Sequence, residues 1–141
     1  MDKEKMKSIA SEYMKIWSAG NADLLDKYAD ANIVADYTHF EKPYKGITDY
    51  KSMLEMTYDF FPDLRITINN MILNESEQKV TVEWKYDGTH KNGNLFGVES
   101  SGEKISVSGI TILEIENGLV IKEKGIVDNL SLVMQLGALS G

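Results

Sequence analysis

Leu113-Glu114-Ile115-Glu116-Asn117-Gly118-Leu119-Val120-Ile121 decides the architecture. An Asn-Gly pair between two apolar, β-branched runs is the strongest short-range hairpin signal, because both central residues of a type I′ turn need φ > 0. It predicts two antiparallel strands, over 104–116 and 119–127. Upstream, Val80, Val82, Trp84 and Tyr86 alternate with Thr81, Glu83, Lys85 and Asp87, the period of a strand with one apolar and one wet face. Leu64, Ile66 and Ile68 alternate in the same way. The 104–116 run differs. Ile105, Val107, Leu113 and Ile115 share one parity, but Ile110 and Ile112 sit on the other. Apolar residues on both faces predict a second contact surface, read here as a homodimer interface.

The front of the chain is helical. Met6, Ile9, Ala10, Tyr13 and Trp17 recur at helical spacing, and Gly20 is placed to end that helix. Leu24, Leu25 and Tyr28 mark a short second helix, with Asn21 or Asp23 as its cap. A short strand over 32–37 follows, then a loop marked by Pro43, Lys45 and Gly46. A third helix is expected over 48–60, capped by Thr48 and stopped by Pro62. Residues 130–136 close the chain as a short helix. Helices first and strands after give an α+β fold, in one domain over 1–141. A long twisted antiparallel sheet curls around its three helices into a cone, leaving a hollow for a ligand.

Bulk composition narrows the function. The chain has 141 residues, 43% hydrophobic and 26% charged, as expected of one globular domain. A net charge of -7 argues against nucleic acid and anionic membrane surfaces, which need basic patches. The absence of cysteine excludes disulfides, zinc-thiolate sites and thiol nucleophiles. No run approaches the roughly 20 apolar residues of a membrane span, and the N-terminal residues lack the apolar segment of a signal peptide; the expected location is cytoplasmic. There is no Gly-x-Ser-x-Gly elbow, phosphate loop or dinucleotide fingerprint. The two histidines stand apart and make no metal site. Any chemistry is therefore acid–base work by carboxylates and histidines, without a cofactor.

Asp128 is the first candidate for that work. At the end of the last strand, it either faces an apolar cavity as a proton carrier or caps the helix beginning at Asn129-Leu130. Strict alternation groups it with Ile126, Lys124, Lys122 and Val120, whereas a bulge near Gly125 groups it with Ile126, Glu123 and Ile121. His90 continues the apolar parity of Val80 to Tyr86 and is either an acid–base group or a hydrogen-bonded structural residue. His39 lines the pocket mouth or sits in the loop before Pro43. Tyr13, Trp17, Trp84, Tyr86 and Phe96 are candidate pocket lining, and core packing is the alternative for each.

Phe60-Phe61-Pro62-Asp63-Leu64-Arg65-Ile66-Thr67-Ile68, Gly88-Thr89-His90 with Gly93, Phe96 and Gly97, the run from Gly102 to Ile110, the Asn117-Gly118 hairpin with Glu123, and the ending from Asp128 to Gly137 share an order and spacing. Together they resemble the SnoaL-like polyketide cyclases, also called ester cyclases, over most of residues 10–137. The resemblance implies the cone of nuclear transport factor 2 and ketosteroid isomerase (a cystatin-like fold), and a homodimer. It also implies cofactor-free closure of a ring by intramolecular aldol condensation. One aspartate near the end of the last strand is then the general acid/base, and Asp128 matches it. His90, His39 and Tyr13 match assisting residues. Lys124 and Val127 depart from the family's aromatic or arginine residues there, so the pocket wall differs. Two alternatives stand beside cyclisation: a ketosteroid-isomerase-like isomerase or dehydratase, and a non-catalytic module that binds a hydrophobic small molecule.

Overall fold

The computed structural model describes residues 1–138. Helix α1, Lys3–Met14, is capped by Asp2 accepting from the Lys5 N–H, and buries Met6, Ala10, Tyr13 and Met14 along one stripe. It tightens into a 3-10 turn over Lys15–Ser18. A second 3-10 turn, Ala22–Leu24, is capped by Asn21 and leads into helix α2, Leu25–Tyr28. Helix α3 spans Ile47–Phe60. Its cap is Gly46 at φ 91, without a side-chain bond, rather than the expected Thr48. A left-handed turn there suits only glycine, so the chain enters the helix one residue before the hydroxyl.

The strands are β1 (Ala29–Tyr37), β2 (Tyr44–Lys45), β3 (Arg65–Asn74), β4 (Lys79–His90), β5 (Asn94–Leu95), β6 (Val98–Glu99), β7 (Glu103–Glu116) and β8 (Leu119–Val127). The main sheet runs β2-β1-β8-β7-β4-β3. Every pair in it is antiparallel except β1 with β8, which run parallel. Asn117 (φ 53) and Gly118 (φ 80) form the predicted left-handed turn. The sheet curls around α1 and α3, helped by register shifts in β3, β8 and the β1–β8 pairing. The core fills the concave side, where β4 contributes Val80, Val82 and Trp84 and β7 contributes Leu113 and Ile115. Each fully buried aliphatic side chain adds about 1.5–3 kcal/mol.

Helix α4, Asn129–Leu136, ends at Gly137 in the left-handed conformation. Leu132 and Leu136 pack against Ile105, Val107, Phe61 and Leu64. The Gln135 side chain bonds both the N–H and the carbonyl of Ser106, at 2.7 Å each, and fixes α4 to β7.

The bulge in β8 falls early. Ile115 pairs with Val120 but Glu114 with Lys122, so Ile121 is the extra residue. From Lys122 onward the register is regular, with Glu123 opposite Leu113, Gly125 opposite Thr111 and Val127 opposite Gly109. There is no bulge at Gly125. Val120, Glu123, Gly125 and Val127 turn inward, whereas Lys122, Lys124, Ile126 and Asp128 turn outward. Neither grouping expected for Asp128 holds as a whole: it lies with the lysines, but without Val120.

Candidate functional site

The hollow of the cone is a cavity of about 320 Å³. Trp17, Tyr37, Phe40, Tyr44, Trp84 and Tyr86 form its aromatic wall. Met14 and Met53 add thioether surface from the helices, and Thr57, His39 and Asn129 are among the few polar side chains that reach it. Phe60 and Phe61 form one end, beside the β5–β6 hairpin, which contributes Leu95 and Phe96. Of the expected lining residues, Trp17, His39, Trp84, Tyr86 and Phe96 reach the cavity, and Tyr13 does not.

Two glycines make room for the wall. A Cβ on Gly109 would stand 2.3 Å from the Trp84 ring, and one on Gly125 would stand 2.5 Å from the Tyr37 ring. Both aromatic rings therefore occupy the space that a side chain would fill on the inner face of β7 and β8. Their polar ends meet at Thr111: Trp84 Nε1 donates to Thr111 Oγ1 at 2.9 Å, and the Tyr37 hydroxyl is 2.8 Å from the same oxygen.

Glu123 stands behind that pair, fully buried. Its Oε1 accepts from the hydroxyls of Tyr13 and Tyr50, each at 2.5 Å, and its Oε2 accepts from the Tyr37 hydroxyl. Donors from α1, β1 and α3 thus converge on one carboxyl of β8. Burial pushes the Glu123 carboxyl above the usual carboxylate range, and the phenol donors only partly offset this. The three phenols are driven well above 10, by burial first and by the Glu123 charge second. Sequence reading passed over Glu123 because Lys122-Glu123-Lys124 has the look of a solvated strand face. The signal that could have found it is the bulge after the Asn-Gly turn, which reverses the parity.

Asp128 takes the capping position. Its Oδ1 accepts from the Ser131 N–H at 3.1 Å, and the side chain is exposed on the outer side of the sheet. It lines a shallow outer groove with Ile110, Ile126 and Leu130 instead of the cavity. His90 is fully buried behind the rings of Phe60 and Phe61, with centroids at 6.3 and 5.9 Å. Its Nε2 lies 2.9 Å from the Gly93 carbonyl, which can only accept, so Nε2 carries the proton. Nδ1 has no partner. His90 therefore ties down the base of the β5–β6 hairpin, together with bonds from Lys91 N to Phe60 O and from Gly102 N to His90 O. His39 stands exposed at the cavity mouth against Tyr37 and Phe40, and desolvation lowers its pKa. Asp128, His90 and Tyr13 do not meet in the cavity.

No group of acidic, histidine or cysteine side chains among the described residues could hold a metal ion. No helix among them is long and apolar enough to cross a membrane.

The family model for SnoaL-like polyketide cyclases matches residues 7–136. The chain belongs to this family. TsrD from Streptomyces laurentii superposes with a TM-score of 0.84 at 22% identity, over 99% of both chains. A SnoaL-like polyketide cyclase from Agrobacterium tumefaciens gives 0.76 at 18% identity, over 94% of this chain and 98% of that one. AclR from Streptomyces galilaeus gives 0.85 at 19% identity, over 99% and 89%. At such identities the likeness speaks for the fold. No curated protein matches in sequence.

Proposed function

We propose that this SnoaL-like protein binds a flat, largely apolar small molecule inside its cone, as a homodimer. The observation that carries the binding reading is the cavity of about 320 Å³, walled by aromatic rings and reached by few polar side chains. The chain's two tryptophans, Trp17 and Trp84, both stand in that wall, so their fluorescence reports on occupancy. Titration with 1-methylnaphthalene is expected to quench it saturably, and Trp84→Phe should remove most of the change. A strictly linear, unsaturable response would defeat the reading.

The dimer reading rests on the outer face of the sheet. Ile110 (43% exposed) lies opposite Ile126 (53%) and next to Ile112 (39%) on that face of β7 and β8, and Ile72 (58%) of β3 stands on the same face beyond Thr81 of β4. Isolated exposed aliphatics are ordinary, but a contiguous group marks a contact surface. Ile112→Lys is expected to convert a dimer to a monomer in sedimentation equilibrium. A wild-type chain that sediments as a monomer at high concentration would refute it.

A second reading is acid–base ring closure with Asp128 as the proton carrier. What favours it, besides the family, is that Val127 and Asn129 on either side of Asp128 both line the cavity. Giving up a helix cap costs only about 1 kcal/mol, so a bound substrate could draw the carboxylate to the rim. His90, buried behind Phe60 and Phe61 with its Nε2 on the Gly93 carbonyl, takes no part in this reading. Asp128→Asn should then abolish turnover while the fold stays intact; undiminished turnover rules the reading out. The isomerase alternative needs a hydroxyl or carboxyl donor opposite Asp128; Tyr13, Tyr37 and Tyr50 turn their hydroxyls to Glu123, which leaves Tyr44 and Tyr86 as the tyrosines of the cavity that could supply it.

A further inference from the structure

We infer that the cavity selects ligands carrying a delocalised positive charge, such as an N-alkylated heteroaromatic ring, over neutral molecules of the same shape. The inference deepens the binding reading above and rests on it. It starts from the surroundings of Glu123. Each group that bonds this carboxyl is a neutral hydroxyl: Tyr13 from α1, Tyr50 from α3 and Tyr37 from β1. Thr111 of β7 and Trp84 of β4 extend the network through Tyr37. No lysine, arginine or histidine among the described residues bonds it or pairs with it, and the neighbouring Lys122 and Lys124 turn to solvent. Three converging O–H donors suit an anion and work against the burial that raises the pKa of this carboxyl, and no cation cancels its charge once it is ionised, the state the inference requires at the pH of the test.

That charge is coupled to the cavity. Tyr37 holds Glu123 with its hydroxyl and forms the cavity wall with its ring. A molecule lying against the wall is thus separated from the carboxyl by about the length of one tyrosine. The wall is aromatic, built by Trp17, Tyr37, Phe40, Tyr44 and the stacked pair Trp84 and Tyr86, and the face of such a ring attracts a cation. No lysine or arginine lines the cavity, and His39, the one basic group there, has its proton affinity lowered by desolvation. A neutral apolar ligand would gain only from burial. A flat cation would gain from burial, from the ring faces and from the enclosed carboxylate, against the cost of its own desolvation. At roughly 8 Å and an effective dielectric of about 20, a unit charge changes an affinity by about ten- to thirtyfold.

The test is a pair of isosteric probes, N-methylquinolinium and 1-methylnaphthalene, titrated calorimetrically at pH 8 in 0.15 M salt. That ionic strength screens surface charges beyond roughly 8 Å. The expected result is tighter binding of the cation, with the preference falling about tenfold in Glu123→Gln. Tyr37→Phe is the second variant, in case the first does not fold. It keeps the ring in the wall but removes one donor from the carboxylate, and it is expected to lose part of the preference. A preference unchanged within twofold in both variants overturns the inference. Binding of 1-methylnaphthalene without binding of the cation also overturns it, and leaves the cavity reading standing. If neither probe binds, both fall.

Discussion

Strand β8 carries one carboxylate, Glu123, and ends beside a second, Asp128, and the two have opposite fates. Glu123 points into the cone, excluded from water and gripped by hydroxyls from three elements. Asp128 points outward, exposed, and holds the first turn of α4. One is a buried carboxyl that joins α1, α3 and β1 to the sheet; the other does a local task that many polar residues could do. Sequence position and family resemblance draw attention to Asp128, whereas burial draws it to Glu123. Residue type is a poor guide to role when the facing of a strand is in question, because one extra residue exchanges the two sides.

The comparison can be broken at several strengths. The largest effect is expected for Glu123→Ala. It takes the acceptor from the buried phenols of Tyr13 and Tyr50, while Tyr37 keeps Thr111 as a partner, and at about 1–3 kcal/mol for each unsatisfied group the loss should reach about 2–5 kcal/mol in urea unfolding. A loss below about 1 kcal/mol would mean that the cluster is not a structural joint. Next comes Gly109→Ala, whose Cβ would collide with the Trp84 ring at 2.3 Å. Overpacking of this kind costs about 1–3 kcal/mol and should also weaken ligand binding, because the displaced ring is cavity wall. The smallest effect is expected for Asp128→Ala, about 1 kcal/mol for a lost cap, with Asp128→Asn nearly silent in stability.

Acidity sharpens the same contrast. The folded-state pKa of Glu123 lies above the ordinary 4.5 of a glutamate, with burial as the leading cause. The folded state therefore holds this proton more tightly than the unfolded chain does. The stabilisation that the proton brings is complete below about 4.5 and is lost as pH rises toward the raised value. Stability should fall with pH across that window, and Glu123→Gln should flatten the slope. The groups facing Glu123 are the hydroxyls of Tyr13, Tyr37 and Tyr50, which keep their protons throughout. An identical pH profile in Glu123→Gln would show that another group sets it.

Much of this molecule is legible in its residues. The Asn117-Gly118 turn, the alternation from Val80 to Tyr86 and the helical spacing of Met6, Ala10 and Tyr13 are local signals, and each appears where its period places it. The apolar residues on both faces of 104–116 likewise correspond to an inner set that is buried and an outer set, Ile110 and Ile112, that is exposed. Trp17, Trp84, Tyr86 and Phe96 border the cavity, but nothing in the sequence separates cavity lining from core packing for an aromatic residue, because both bury the same apolar surface.

The site's polar centre was decided by tertiary structure. Tyr13, Tyr37, Tyr50, Thr111 and Glu123 are scattered along the chain and share no local pattern; only the curl of the sheet around two helices brings their oxygens together. The bulge at Ile121 then chooses which carboxylate is enclosed. Periodicity along a chain records which face of each element is apolar, because burying apolar surface dominates the energy of folding. It does not record which distant hydroxyls will pay for one buried carboxyl, since those bonds exist only after the elements have packed.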